Sequence, residues 1–280
     1  MKTETATLVT DKIIEAMEAG IVPWRKPWTG QHNAPTSLAT GKAYRGINYL
    51  ILGMVGDLEG YSTGLWGTFN QFKGKGFSVN KGEKGTHVVL YKPVEKIDDA
   101  GEKSSFAIMR SFNVFNIEQT NMDLPVDDRA PREPVPIFEG VQRALDYPYV
   151  AGDSAHYTPS TDIITLPKIE QFHDASAFAE TALHEISHST GHEKRLHRNF
   201  DVAGFGCKTR AAEELIAEIG QAMLATELGI DVDWTNTAAY VDNWLKVLKD
   251  DRKMIISAAA KAQKIVDHVL PAAVEVAVAA

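Results

Sequence analysis

The sequence predicts an α+β fold of two domains, an α+β domain over residues 1–118 and a mostly helical domain over residues 137–280. A chain of 280 residues with 44% hydrophobic residues is long enough for two cores. The segment Gln119–Pro136 has four prolines and four acids. Such a composition is typical of an extended connector, because proline fixes φ and restricts the residue before it. Strand-like runs dominate before this segment and helical spacing dominates after it.

In the first half, apolar residues at helical spacing predict a helix over Leu8–Gly20, which a glycine closes. A second, shorter helix is predicted from Asn48 to Gly56. Residues 61–118 predict strands, because apolar runs such as HVVLYKP and SFAIMRSFNVFNI alternate with turn segments such as KGKG and NKGEKG.

The second half is predicted to be mainly helical, with one strand over Asp162–Leu166. Its spacing of apolar residues is typical of amphipathic helices that cover a core on one face. The predicted helices are Pro136–Leu145, Ala175–Thr190, Arg210–Leu228, Ala238–Asp250 and Arg252–Val269.

Composition excludes several classes of protein. No run of about 20 apolar residues is present, so we expect no membrane span and no membrane partner. The N-terminal stretch carries acids and lacks an apolar signal region, so we expect a cytoplasmic protein. The only cysteine, Cys207, excludes an intrachain disulfide and a cysteine-based zinc site.

The net charge of −8 is unevenly distributed. Residues 1–130 hold 15 basic and 15 acidic residues, whereas residues 131–280 hold 14 and 22. Between Lys42 and Lys92, seven basic residues face only three acids, and eight aromatic residues are interleaved with them. Cations and aromatic rings together are the ingredients of single-stranded nucleic-acid binding. The alternative to nucleic-acid binding is a structural role, in which the aromatic residues fill the core and the Lys/Gly pairs form turns.

The most informative motif is LHEISHSTGH, which places His184 and His188 four residues apart, with Glu185 between them. On an α-helix this spacing puts both imidazoles on one face, where they can share one tetrahedral ion. Zinc lowers the pKa of a coordinated water toward ~7, so Glu185 can accept its proton and pass it to a leaving amine. Asp174 is predicted to be the N-cap of this helix, and Gly191 is predicted to end it. The alternative is a surface helix that carries these residue types by chance.

The third ligand must come from outside this helix. The metzincin pattern fails, because Lys194 stands where the third histidine would be and a charged lysine cannot bind the ion. His192 and His197 could bind only if the chain bends back.

A downstream helix, AAEELIAEIGQAM, supplies two glutamates at i,i+4 beside apolar residues. We predict that Glu214 completes a His₂Glu zinc site of the thermolysin (gluzincin) type and that Glu218 orients a ligand histidine. Exchanged roles and participation of Glu213 remain open, as does a solvated helix face without any ligand.

The segment HYTPSTDIITLP, just before the metal motif, offers a short strand between prolines. An edge strand near the metal of such a hydrolase can bind an extended peptide by strand addition. Tyr157 in this segment is a candidate donor to an oxyanion, with an interface tyrosine as the alternative.

Several strings together make the chain resemble the ArdC family of plasmid antirestriction proteins. They are IVPWRKPW, GKAYRGIN, WGTFNQF, KGEKG, HYTPSTDIITLP, TALHEISHSTGHEKRL and AAEELIAEIG, in this order from about Val9 to Val269. The resemblance implies a domain that binds single-stranded DNA, followed by a zincin-like metallopeptidase domain. It implies His184 and His188 as metal ligands, Glu185 as the catalytic acid/base and Glu214 with Glu218 as the downstream acidic pair.

The role implied by this resemblance is protection of an incoming conjugative plasmid strand from host restriction endonucleases. The alternative is a zinc-dependent protease that cleaves a host protein, with DNA binding serving only for location. The resemblance does not assign DNA contacts to particular side chains. The candidates, from the motifs of the family and from the basic segment, are Arg45, Asn48, Trp66, Lys73, Lys75, Lys81 and Lys84.

Overall fold

The computed structural model describes residues 2–24, 34–97, 103–123, 149–198, 208–230 and 238–271, together with Val141 and Ala144. These residues form helices and two sheets, which confirms the predicted α+β class. Residues 124–136 of the predicted connector lie outside the described residues. Of the helix predicted next, only Val141 and Ala144 are described, and both are helical and buried.

The first half builds a four-stranded sheet in the order β1-β2-β4-β3. The strands β3 and β4 form a long antiparallel hairpin, which confirms the predicted strands in this region. The helix α3 was not predicted; it begins with a capping box in which Thr68 and Gln71 satisfy each other's backbone N–H groups. The elements are α1 (Lys2–Glu18), β1 (Thr36–Ser37), α2 (Ile47–Leu58), β2 (Leu65–Gly67), α3 (Phe69–Gly74), β3 (Thr86–Ile97) and β4 (Lys103–Asn116).

In the second half, the described residues form a three-stranded sheet in the order β5-β7-β6 and four helices with described bounds, besides the helical residues Val141 and Ala144. The central strand β7 is the predicted one. The helices predicted over Ala175–Thr190, Arg210–Leu228, Ala238–Asp250 and Arg252–Val269 are present within two residues of their expected bounds. Among the helices that the structure describes, none is long and apolar enough to cross a membrane. The elements are β5 (Tyr149–Ala151), β6 (His156–Thr158), β7 (Ile163–Leu166), α4 (Ala175–Ser189), α5 (Lys208–Leu228), α6 (Ala238–Asp250) and α7 (Met254–Val269).

The beginning of the predicted connector is structured. Gln119 is buried at the end of a short 3₁₀ turn, where its side-chain amide donates to the backbone oxygen of Lys84 and accepts from the backbone N–H of Asn116. Thr120 pairs with Val79 as an isolated bridge. These first residues of the segment therefore pack on the N-terminal half.

One hydrophobic core extends through both halves. Its buried residues come from α1 and α2 as well as from α4, α5, α6 and α7. Trp24 lies edge-to-face on Trp244, with 5.4 Å between ring centroids. On the surface, Lys249 pairs with Glu18. The two halves thus share apolar and ionic contacts, so neither half buries its apolar surface by itself.

The motif GKAYRGIN lies in this contact between halves. The backbone N–H of Gly46 donates to the side chain of Gln263 on α7, and Arg45 pairs with Asp267 on the same helix. Gly46 has φ +56° and ψ −130°, a conformation that only glycine adopts readily. A Cβ added at Gly46 would lie 3.7 Å from the backbone oxygen of Ala259. The glycine therefore permits α2 to begin directly against α7.

Candidate metal centre

The helix α4 forms as the sequence predicts. Asp174 caps it by accepting a hydrogen bond from the backbone N–H of Ala177 at 2.8 Å. Phe178, Leu183 and Ile186 are buried on its inner face. The two histidines of the motif therefore project from a helix that is anchored at its N-terminus and along one side.

His184, His188 and Glu214 converge on one point. The two Nε2 atoms are 3.1 Å apart, and Oε2 of Glu214 lies 3.5 Å from each of them. A tetrahedral ion with bonds of about 2.0–2.1 Å requires ligand atoms about 3.3–3.4 Å apart. The three side chains thus fit a zinc-sized ion, and they are the metal-ligand group found among the described residues.

Further polar side chains face the other ring nitrogens of the two histidines. Nδ1 of His184 lies 3.1 Å from Oε1 of Gln221 and 3.6 Å from Oε2 of Glu218. Nδ1 of His188 lies 3.4 Å from Oε1 of Glu213. All of these groups come from α5, so the packing of α5 against α4 determines the geometry of the centre.

The charges at the centre favour a cation. Burial lowers the pKa of both histidines, but the surrounding carboxylates outweigh burial, so the pKa of His184 lies well above its usual value and that of His188 is also raised. Burial raises the pKa of Glu214, yet its contacts with the two histidines bring the net value far below the usual range. The cluster therefore attracts positive charge, as protons or as a metal ion.

Glu185 is a buried carboxylate beside the centre. It follows His184 directly on α4, and only 8% of the residue is exposed. Its charge contributes to raising the pKa of His184. Its position next to the first histidine agrees with the acid/base role that the motif predicts.

The alternative histidine ligands are elsewhere. Nδ1 of His192 lies 3.6 Å from Oδ2 of Asp162. The backbone N–H of His197 donates to the oxygen of His192 in a turn that follows α4. Among the described residues, neither histidine joins the group around His184.

Tyr157 is held by a second polar cluster. Its hydroxyl donates to Asp162 at 2.8 Å, and Arg195 binds the same carboxylate while its Nε donates to the backbone oxygen of Ser189. The cluster connects the β6–β7 turn to the end of α4. The hydroxyl of Tyr157 therefore serves this connection, as an interface tyrosine, and β6 itself lies at an edge of its sheet.

Two candidate DNA contacts have structural roles instead. Trp66 is a core residue with 1% of its surface exposed, and its ring packs edge-to-face on Tyr61, so it has no free face for a base. The side-chain amide of Asn48 donates to the backbone oxygen of Val89 and accepts from its N–H, both at 2.7 Å. Because β3 lies at the edge of the sheet, Asn48 takes the place of a neighbouring strand.

The remaining candidates lie at the surface. Arg45 is about half exposed but is paired with Asp267. The four lysines Lys73, Lys75, Lys81 and Lys84 are exposed. Phe69, which the sequence did not single out as a surface residue, is 51% exposed at the start of α3.

Sequence reasoning missed two residues close to the metal centre. Gln221 follows Glu218 by three residues on α5, and this helical spacing was an available signal. Arg198 forms a buried ion pair with Glu213 and comes from the segment after α4, where sequence spacing gives no indication of its partner.

Two families match this chain. Residues 3–115 match the N-terminal domain of the anti-restriction factor ArdC, and residues 144–261 match a zincin-like metallopeptidase family. The second match includes all three residues of the candidate metal group.

Similar proteins occur in Escherichia coli and Sinorhizobium fredii. The chain is 39% identical over 293 residues to a DNA primase TraC of Escherichia coli. The alignment covers 94% of this chain but only 20% of the primase, so the chain spans about a fifth of the length of that relative. It is also 36% identical over 281 residues to the uncharacterized protein y4eC of Sinorhizobium fredii, covering 92% of this chain and 89% of that protein.

Two solved structures resemble the whole chain. The metal-free structure of the antirestriction protein ArdC from the R388 plasmid has a TM-score of 0.79 and 37% identity, covering 96% of this chain and 98% of that one. The Mn(II)-bound structure of the same protein has a TM-score of 0.79 and 36% identity, covering 96% and 97%. Because the likeness extends over nearly the full length of both chains, this protein belongs to the ArdC family of antirestriction proteins.

Proposed function

We propose that this chain is a cytoplasmic antirestriction protein that binds single-stranded DNA through its N-terminal half and carries a zinc metallopeptidase site in its C-terminal half. In this proposal it protects an incoming conjugative plasmid strand from host restriction endonucleases. The observation that supports the peptidase part is the convergence of His184, His188 and Glu214 at tetrahedral spacing beside the buried Glu185.

His184, His188 and Glu214 would hold the zinc ion, leaving a fourth position for water or substrate, as in catalytic zinc sites. A zinc ion held there would supply Lewis acidity, which polarises a carbonyl oxygen and makes water easier to deprotonate. Glu185 would accept the proton of that water and return it to the leaving amine. The edge strand β6, which packs against α4, is placed to bind an extended peptide by strand addition.

The DNA-binding part is supported by exposed lysines on α3 and in the turn before β3, one of which shares a helix face with an exposed ring. Phe69 and Lys73 lie one turn apart on α3, so they share a face of that helix. Lys81 and Lys84 belong to the turn before Gly85, which lies so close to the Phe115 ring that an added Cβ would be 3.0 Å from it. Since α3 packs against the strand that carries Phe115, the lysines of both segments flank β4.

This surface predicts a preference for unpaired bases. A chain with net charge −8 repels phosphates in general, so binding must be local and must include stacking. Each stacked base is worth about 1–3 kcal/mol, and only unpaired bases expose their faces. We therefore expect single strands to bind more tightly than duplex of equal length, with little dependence on sequence.

Fluorescence anisotropy with matched single-stranded and duplex oligonucleotides tests the DNA-binding function. Phe69→Ala is expected to weaken single-strand binding about tenfold, in line with the loss of one stacked base, and to leave duplex binding nearly unchanged. Leu58→Ala is the control, because Leu58 is equally exposed, at 52%, but lies on α2. Equal affinity of the full chain for both oligonucleotides would contradict the proposal.

A second candidate function is cleavage of a host protein, with DNA binding serving for location. The complete ligand set and the buried Glu185 favour a working peptidase. Glu185→Gln separates the two functions, since it keeps the three ligands but removes the proton acceptor. If plasmid protection survives in this variant, DNA binding is what protects the plasmid. If protection is lost while DNA binding and zinc binding persist, proteolysis is what protects it. A proteome-wide search for products made only by the wild type would identify the substrate.

A further inference from the structure

Arg198 carries a buried charge beside the metal centre. Only 8% of its side chain is exposed, and guanidinium remains charged at any physiological pH. Its Nη2 donates to Oε1 of Glu213 at 2.8 Å and to the backbone oxygen of Ser187 at 2.7 Å, while Nη1 donates to Oγ1 of Thr190 at 2.8 Å. Its Nε also faces Glu213, at 3.1 Å from Oε2. The guanidinium thus fixes the carboxylate of Glu213 against the end of α4.

Glu213 connects this charge to a metal ligand. The oxygen that accepts from Arg198 is also the one that lies 3.4 Å from Nδ1 of His188. On the opposite side of that ring, Nε2 faces His184 and Glu214. An imidazole that ligates through Nε2 carries its proton on Nδ1, and Glu213 is the acceptor for that proton.

The two histidines differ in this respect. His184 has the neutral amide oxygen of Gln221 nearest to its Nδ1, at 3.1 Å, with Glu218 further away at 3.6 Å. His188 has a carboxylate that is itself held by a buried cation. A fixed carboxylate orients the ring and makes the ligand more basic, so His188 has the stronger support.

We propose that Arg198 and Glu213 are positioning residues for the metal centre: Glu213 holds His188 in the orientation that directs Nε2 at the ion, and Arg198 holds Glu213. This inference rests on the proposed zinc site. Arg198 would also keep the carboxylate of Glu213 from turning toward the ion, which Glu214 would bind. Loss of either residue therefore weakens metal binding without removing a ligand.

Zinc affinity of the full-length chain, measured by competition with a chromophoric chelator, tests this inference. Glu213→Gln and Arg198→Met are each expected to weaken zinc binding about 10–100-fold, the range found when outer partners of ligand histidines are removed. The double variant is expected to lose little more than either single variant, because both substitutions remove the same support. The absorption spectrum of the cobalt(II) form reports a changed ligand geometry independently of catalysis.

Arg195→Met is the matched control. Arg195 is also a largely buried arginine, paired with Asp162 and bonded to the backbone oxygen of Ser189 at the end of α4. Its partner carboxylate, however, contacts His192, which is not one of the three proposed ligands. It is expected to lower thermal stability and to keep the zinc affinity of the wild type. Equal zinc loss in Arg195→Met and Arg198→Met, or zinc affinity within about threefold of wild type in Glu213→Gln, would overturn the inference alone. A wild-type chain that binds no zinc would overturn the proposed metal site as well.

Discussion

Trp66 shows how burial decides between two roles for one aromatic residue. Its ring is fully enclosed beside Tyr61, and a Cβ added at Gly56 on α2 would lie 3.9 Å from it. We expect Trp66→Ala to lower the free energy of unfolding by about 3–5 kcal/mol, because the substitution leaves a large cavity in the core. The folded fraction should bind single-stranded DNA as the wild type does. Urea unfolding followed by circular dichroism measures the stability, and fluorescence anisotropy on the same samples measures DNA binding. A variant with wild-type stability but weakened DNA binding would indicate that Trp66 contacts DNA.

Asp162 predicts a dependence of stability on pH. Its hydrogen bonds with Arg195 lower its pKa more than burial raises it, and Tyr157 donates to it as well. A carboxyl whose pKa is lower in the folded state stabilises that state above its unfolded pKa, and this contribution is lost as pH falls through the folded pKa. Asp162 also has φ +56°, which asparagine tolerates equally, so Asp162→Asn changes the charge without adding backbone strain.

We therefore expect Asp162→Asn to be less stable than the wild type at neutral pH. The difference should shrink as the pH falls below about 3.9, the ordinary pKa of an aspartate, and through the lower pKa of the folded state. Thermal unfolding of both chains across this pH range measures the effect. A difference that stayed constant with pH would show that the carboxylate charge does not contribute.

At the scale of elements, the side-chain amide of Asn48 makes a polar contact between α2 and β3. Asn48 satisfies both backbone groups of Val89 at the free edge of the sheet. We expect Asn48→Ala to cost about 1–3 kcal/mol, because two hydrogen bonds are lost and the edge is left without a partner. Hydrogen exchange of the Val89 backbone amide should become faster in this variant, because the amide loses its acceptor. An unchanged exchange rate at Val89 would contradict the role of Asn48 as its hydrogen-bond partner.

The metal centre joins α4 to α5, because its histidines lie on one helix and its glutamate on the other. A ligand that binds only the folded state stabilises it by about 2.7 kcal/mol at 100 times its Kd. We expect about one zinc per wild-type chain and a Tm that rises with added zinc, with both effects lost in His188→Ala. Elemental analysis and calorimetry measure them; zinc content at the wild-type level in this variant would contradict the ligand assignment.

At the scale of the whole molecule, the shared core predicts how the chain responds to a cut. We expect proteases to nick first within residues 124–136, the polar and proline-rich part of the connector. The two fragments should then remain together, because α1 and α2 are packed against α6 and α7 and Trp24 against Trp244. Size-exclusion chromatography of the nicked protein measures this association, and separate elution of the fragments would show that each half has an independent core.

Local patterns in the sequence were enough for the long helices that the structure describes and for the metal motif. They were not enough for the short helix α3 or for contacts between distant segments. His184 and His188 were predictable because both follow one helical period, and Glu214 because its own helix carries an acidic pair. The ion pair of Arg198 with Glu213 and the edge contact of Asn48 depend on the packing of separate elements. Trp66 was ambiguous for the same reason, since a composition rich in aromatics and lysines does not show which rings the fold buries.

The shared core also has a consequence for inheritance. A recombination event that joined the first half of this chain to an unrelated partner would separate α1 and α2 from the helices that cover them, and the new product would expose that apolar surface. An exchange that moves both halves together keeps the core intact. Two primase relatives each match 94% of this chain, at 39% and 36% identity, over a region that makes up 20% of one primase and 26% of the other. Selection on folding alone is thus expected to pass the two halves on as a single gene segment.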